Sequence, residues 1–262
     1  MAKVRLDLLM VERGLAESRA QAQRLAMAGQ VRVDGQVALK PAAKVPTEAL
    51  IEIDHGPPFV SRGGEKLESA LATFYLDVHG LVCADVGAST GGFTDCLLQN
   101  GASKVYAIDV GHGILHWKLR QDPRVVVMER TNARYVERLP EPVSLATIDA
   151  SFISLKVLLP AVKNWFGPSP GQIVALVKPQ FEAGRSEVSR GDGVIRDPAV
   201  HRRVLAEVLS FAQAEGCALL GLMRSPLLGP KGNAEFLAWL SYPGGAGKSV
   251  EDLLEEVMSA EN

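Results

Sequence analysis

The chain has 262 residues, 47% hydrophobic and 22% charged, with a formal net charge of −2. That composition excludes a disordered protein, and the length accommodates one large α/β domain with a small appendage. Charges interrupt the N-terminal segment where a secretory signal needs an apolar core, and no unbroken apolar run reaches spanning length, so a cytoplasmic, membrane-free protein is expected.

Cys83, Cys96 and Cys217 are scattered without CxxC spacing, which points to reduced thiols and no metal. The small net charge hides an asymmetry. Residues 1–45 carry eight Lys/Arg against four Asp/Glu, while the remainder carries 20 against 26. A small basic module ahead of an acidic body suggests a polyanion grip on the module.

In chain order, Leu6, Leu9 and Met10 have helical spacing, and Gly14 suits the residue after a helix end. Ser18 to Gln21 reads as a capping box in which Gln21 reaches back to the start of a second helix that ends near Gly29. Alternating residues 31–37 around Asp34-Gly35 predict a hairpin, with Arg19, Arg24 and Arg32 clustered as RNA contacts. The span "RLDLLMVERGLAESRAQAQRLAMAGQVRVDGQV", Arg5 to Val37, resembles the RNA-binding module of the bacterial small-subunit ribosomal protein four. Residues 1–54 are therefore expected to form such a module. Residues 55–60, with Pro57-Pro58, read as a linker, and residues 61–262 as the second domain.

From Ser61 a helix is expected to run through Tyr75. Apolar strands then follow at 81–86, 105–108, 125–128, 143–148, 173–177, 218–223 and 235–240, interleaved with helices at 93–99, 155–165 and 198–214. The pattern predicts an α/β fold, a doubly wound seven-stranded Rossmann-like sheet with a small N-terminal α+β domain. Ligands should lie beyond the carboxyl ends of the strands. A last short amphipathic helix is expected from Val250 to Val257.

The first turn, Asp85-Val-Gly87-Ala-Ser89-Thr-Gly91-Gly92-Phe93, is glycine-rich but lacks G-x-G-x-x-G spacing, and an acid precedes it. A carboxylate there would repel a pyrophosphate and attract an ammonium, which S-adenosylmethionine carries and a dinucleotide does not. Asp109, ending the next strand, stands where an acid binds ribose hydroxyls. Gly87, Gly91 and Gly92 would let the backbone approach the ligand, and Asn132 in "RTNAR" would lie near the adenine or cap a turn.

A ribose 2′-hydroxyl is a poor nucleophile, and moving a methyl group from a sulfonium to it needs in-line placement and a group to orient the hydroxyl or take its proton. Lys66 precedes the first strand, Asp149 ends the fourth, Lys178 ends the fifth and Glu235 enters the last. They resemble the K-D-K-E tetrad of FtsJ-type RNA 2′-O-methyltransferases. Within that group, "SRGGEKL", "DVGASTGGFTD", "DVGHG", "ERTNAR", "DASFISL", "LVKPQFE" and "GPKGNAEF" resemble the TlyA family, also called hemolysin A.

The resemblance implies methylation of cytidine 2′-hydroxyls in small- and large-subunit rRNA. Lys178 would orient the hydroxyl or accept its proton, Lys66 would position the ribose, and Asp149 and Glu235 would hold the lysines. The 18 residues 180–197, with Arg185, Arg190 and Arg196, read as a loop that orders on RNA. Two rival readings are a membrane-lytic protein, suggested by the family's older name, and a ribosome-binding assembly factor without activity.

Overall fold

The computed structural model describes residues 2–54, 56–184 and 192–259, which form two compact units, Met1–Pro58 and Phe59–Asn262. Arg185, Arg190 and Gly191 of the arginine-containing loop lie outside the described residues.

In the first unit the expected elements form: α1 (Leu6–Glu12), α2 (Arg19–Met27), and the hairpin β2 (Val31–Val33) and β3 (Gln36–Val37). Three further strands were not legible in the sequence, being only three residues each. They are β1 (Lys3–Arg5), β4 (Lys44–Pro46) and β5 (Ile51–Ile53). β1 pairs with β4, and β5 flanks β2 on the side opposite β3. Gly14 takes φ +70 just after α1, and the Leu15 N–H returns to Met10 O at 2.8 Å. The hairpin turns on Asp34 and Gly35, both with positive φ, as a type I′ turn requires.

The capping box differs from expectation in one bond. Ser18 Oγ accepts from the Gln21 N–H, but the Gln21 side chain reaches one residue further back, to the Glu17 N–H at 2.8 Å. Ala22 and Ala26, four apart and fully buried, give α2 a small-residue face toward the core of Leu6, Leu9 and Met10.

The second unit holds a seven-stranded sheet. Its strands are β6 (Val82–Val86), β7 (Lys104–Ile108), β8 (Val125–Met128), β9 (Leu145–Ile148), β10 (Gly171–Val177), β11 (Ala218–Arg224) and β12 (Phe236–Tyr242). The spatial order is β11-β12-β10-β9-β6-β7-β8, and β12 alone runs opposite to the other six strands.

Chain order reverses between β6 and β9, so a crevice opens there beyond the carboxyl ends. The helices are α3 (Gly63–Thr73), α4 (Gly92–Gln99), α5 (Trp117–Arg120), α6 (Leu155–Val162), α7 (Pro179–Glu182), α8 (Pro198–Ala214) and α9 (Val250–Ser259). Apolar cores lie on both faces of the sheet.

Two local readings change. Phe59 and Val60, read as linker, belong to the second unit: Phe59 is buried in its core and the Val60 N–H donates to Asp95 Oδ2 at 2.9 Å. The start of the long loop is helical in α7, because Glu182 is drawn to the α6 N-terminus, where it accepts from Ser154 Oγ at 2.5 Å and from the Leu155 N–H at 2.7 Å. Cys83, Cys96 and Cys217 are buried and free, and burial pushes the Cys83 thiol up to about 12.

The basic unit is organised around an acid. Asp7, fully buried, accepts a forked pair of bonds from Arg5 at 2.8 and 3.0 Å, one from Arg19 at 2.9 Å and one from Gln23 at 2.9 Å. The Arg5 fork, with Gln23 and Arg19 behind it, outweighs burial and holds the carboxyl well below the usual carboxylate range. Stability from this group is therefore present above the unfolded aspartate pKa, near 4, and is lost as pH falls below it. Asp7→Asn should lower the stability of the first unit at pH 7 by about 1.5–3 kcal/mol and flatten its loss in acid, as followed by thermal melts from pH 7 to 2.

Candidate active site

Register delivers the site. Gly87, Asp109, Asp149 and Lys178 each follow the last residue of a parallel strand, β6, β7, β9 and β10. β12 enters from the same edge with Phe236 opposite Val177, so Glu235 arrives beside Lys178 although their strands run in opposite directions.

The turn after β6 bends through Gly87 (φ +81), Ser89 (φ +50) and Gly91 (φ +99). Its geometry corrects the reason for the glycines. A Cβ on Gly87 would lie 2.6 Å from Asp149 O, one on Gly91 2.2 Å from Leu119 Cδ1, and one on Gly92 2.3 Å from Ser61 Oγ. The chain itself, rather than a ligand, fills the space where these side chains would be.

Asp109 pins the same turn. Its carboxylate accepts from the Ser89 N–H at 2.8 Å and the Gly111 N–H at 2.7 Å, and each oxygen keeps a further lone pair for a ligand.

Two lobes open around this turn. One, of about 420 Å³, is lined by Asp109, Asn132, Ile108, Val110 and Phe152. The other, of about 350 Å³, is lined by Lys66, Lys178, Glu235, Ser61 and Arg62. Gly87, Ser89 and Asp149 line both, so the lobes adjoin. Asn132 caps the short 3₁₀ turn Ala133–Tyr135, its Oδ1 accepting from the Arg134 N–H, and the residue also lines the first lobe. Phe93 is buried in the core and lines the second lobe.

Within the second lobe the four charged residues pair off. Lys66 Nζ lies 2.5 Å from Glu235 Oε2, and Lys178 Nζ lies 2.5 Å from Asp149 Oδ1. Ser151 Oγ, which no sequence pattern singled out, accepts from Lys178 Nζ at 3.1 Å. Both lysines are less than a tenth exposed and Glu235 is fully buried. Removing one member of such a pair strands its partner's charge and costs about 3–5 kcal/mol.

Phe152 is a further residue that the sequence did not single out. It is 91% exposed, sits at φ +63 and tilts against Phe181 at 4.9 Å. Ser61 and Arg62 carried a signal in "SRGGEKL", but only as neighbours of Lys66.

Among the RNA candidates Arg24 and Arg32 are exposed, and Arg32 makes one long bond, 3.4 Å, to Gly35 O. Arg19 is exposed as well, but its Nε is paired with Asp7.

Asp85 stands apart from its expected place. It lines neither lobe and is fully buried, accepting from Thr94 Oγ1 at 2.7 Å and Thr147 Oγ1 at 3.2 Å. Burial, with the nearby charge of Asp149, outweighs these bonds and pushes its carboxyl up to about 7. The folded chain thus keeps a proton there that the unfolded chain releases near pH 4. Stability from this group is greatest in acid and falls as pH rises from about 4 to 7. Asp85→Asn should flatten that fall, leave the protein at least as stable as the parent at pH 8, and hold S-adenosylmethionine affinity within a few-fold. Melts across pH and calorimetry check this, and loss of cofactor binding would return Asp85 to a direct charge role.

Residues 59–242 match the FtsJ-like methyltransferase family and residues 4–51 the S4 domain. The chain is 46% identical over 264 residues to the 16S/23S rRNA (cytidine-2′-O)-methyltransferase TlyA of Mycobacterium tuberculosis, covering 98% of each chain. The solved structure of a hemolysin-type protein from Streptococcus thermophilus is 45% identical, with a TM-score of 0.71 over 99% of this chain and 97% of that one. An S-adenosylmethionine-dependent methyltransferase of Listeria monocytogenes shares the fold alone, at 17% identity and a TM-score of 0.51 over 69% of this chain and 99% of that one. The chain belongs to the FtsJ-like methyltransferase family, in the TlyA and hemolysin A group that carries an N-terminal S4 domain.

Proposed function

We propose that this methyltransferase transfers a methyl group from S-adenosylmethionine to a ribose 2′-hydroxyl of rRNA, with cytidine as the acceptor nucleoside. The single observation that carries the reading is the convergence of two buried lysine–carboxylate pairs on a lobe that adjoins a second, nucleoside-sized one. Cytidine and the two ribosomal subunits are drawn from the Mycobacterium tuberculosis relative.

The residues present suit the cofactor. Asp109 has free lone pairs for ribose hydroxyls, Asn132 and Phe152 flank the space for a base, and the turn at Gly87–Ser89 leads from that space toward the lysines. When bound, S-adenosylmethionine supplies an electrophilic methyl group on its sulfonium.

The remaining work falls to side chains. Lys178, held by Asp149 and Ser151, would fix the acceptor hydroxyl in line and receive or relay its proton, and Lys66, held by Glu235, would hold the ribose. A structure with both pairs intact favours activity over a silent assembly factor. Among the described residues no helix is long and apolar enough to cross a membrane.

Labelled S-adenosylmethionine incubated with separated, unmodified ribosomal subunits, followed by product mapping, tests the reading. Lys178→Ala should reduce transfer by at least about 100-fold while cofactor affinity stays within a few-fold. Full turnover with a mapped 2′-O-methyl product would remove Lys178 from the mechanism.

The first unit should grip phosphates through Arg24 and Arg32 rather than Arg19. Replacing both by alanine should weaken subunit binding and reduce the log–log salt slope by about 0.7–0.9 for each phosphate that is no longer neutralised, with cofactor affinity unchanged. An unchanged slope in filter-binding titrations would make them solvated surface.

A further inference from the structure

The motif "GPKGNAEF" between β11 and β12 contains a glycine whose backbone does not need to be glycine. Gly229 sits at φ −72 and ψ −174, a conformation open to other residues. What the position lacks is room. A Cβ there would lie 1.9 Å from Glu235 Oε1, 2.5 Å from its Cδ and 3.2 Å from its Cγ. The Glu235 carboxylate therefore occupies the place of a side chain at 229.

Neither partner can retreat cheaply. Glu235 is fully buried and its other oxygen is 2.5 Å from Lys66 Nζ. The loop is held from several directions. The Ser225 N–H donates to Glu235 O at 2.8 Å, and the Gly229 N–H donates to Asn233 O at 2.8 Å. Asn233, 3% exposed, donates through Nδ2 to Pro230 O and Gly193 O, both at 3.0 Å, and accepts from the Ile195 N–H at 3.0 Å. A side chain at 229 would have to displace the carboxylate by more than an ångström, and the Lys66 ammonium would lose its close partner.

We propose that Gly229 is a positioning residue, whose missing side chain forms the seat that fixes Glu235 and, through it, Lys66 at the edge of the reaction lobe. The assignment rests on the reading of that lobe as the methyl-transfer centre. It differs from the roles of Gly87, Gly91 and Gly92, which combine tight packing with turn or helix-start geometry around the cofactor turn. Here the atoms accommodated belong to one of the four charged residues.

The test is a double-mutant cycle on the full-length chain with Gly229→Ala, Glu235→Ala and the combination. In the Glu235 background, Gly229→Ala should lower kcat for methyl transfer to ribosomal subunits about 10- to 100-fold. KM for the RNA and affinity for S-adenosylmethionine should stay within about threefold, and the melting temperature should fall. In the Glu235→Ala background nothing is left to displace, so Gly229→Ala should cost no further stability and change residual activity by about twofold at most.

Wild-type kcat in Gly229→Ala would overturn the assignment. So would an equal fall in melting temperature in both backgrounds, because the backbone rather than the carboxylate would then need the glycine. Where residual activity is too low to follow, the melting cycle decides alone. A parent protein that transfers no methyl to RNA would sink the functional reading, and the melting cycle would still report on the seat.

Discussion

Two ammonium groups buried at the rim of a sheet persist only where carboxylates meet them, and much of the catalytic unit is arranged to satisfy that condition. Desolvating a lysine favours its neutral form, and an unpaired buried charge costs several kcal/mol. Lys178 and Asp149 come from the ends of adjacent parallel strands, so their pairing follows directly from the β9–β10 register. Lys66 and Glu235 are 169 residues apart and come from a helix and an antiparallel strand. Their meeting depends on β12 running backwards beside β10, which brings the start of that strand to the edge where the parallel strands end. One reversed strand thus completes a site that an all-parallel sheet would leave open on one side.

The same condition explains why the glycine-rich turn is shaped by packing. Asp149 sits between the two lobes, and its carbonyl lies where a side chain on Gly87 would project. The turn after β6 and the strand end that carries Asp149 must approach closely for the lobes to join. Gly92 does the same for the start of α3, because Ser61 and Gly64 press against it and so set the base of the helix that presents Lys66. Glycine at these positions brings charged residues from three elements within one cavity. Ligand access follows from that closeness.

The fold was largely legible because strands buried on both faces read as apolar runs and the intervening helices as amphipathic ones. All seven strands of the large sheet lie within a few residues of their expected places. β1, β4 and β5 of the first unit were invisible, since three residues show no period and these lack the Asp-Gly turn that marks β2 and β3, and the turn of helix at Pro179–Glu182 is stabilised by Ser154 and Leu155 from elsewhere in the chain.

At the site, strand-end position brought forward Asp109, Asp149 and Lys178. It also brought forward Asp85, where it misled. A residue within a strand faces one side or the other of the sheet, and Asp85, next to last in β6, turns toward Thr94 and Thr147 beneath the cavity. Residues just past a strand end face the crevice, and residues just before it need not. Ser151 and Phe152 follow Asp149 into a loop with no period to read, so their contacts with Lys178 and Phe181 exist only in three dimensions.

Buried acids without a partner in the reaction recur in both units, and they act in opposite senses. Asp7 is ionised because a guanidinium fork and two further donors compensate its desolvation, and it draws Arg5 and Arg19 into the scaffold of a unit whose sequence is rich in cations. Asp85 has only uncharged donors around it, the Thr94 and Thr147 hydroxyls and the Thr94 backbone, and a second carboxylate nearby, so burial prevails and the neutral form gains. Composition counts both as negative charge. A charge count over residues 1–45 therefore overstates the cations free to meet a polyanion, because Arg19 is already paired, and a count over the larger unit overstates its negative charge near neutrality. The electrostatic contrast between the units is set by which carboxylates have cations beside them, and that depends on packing.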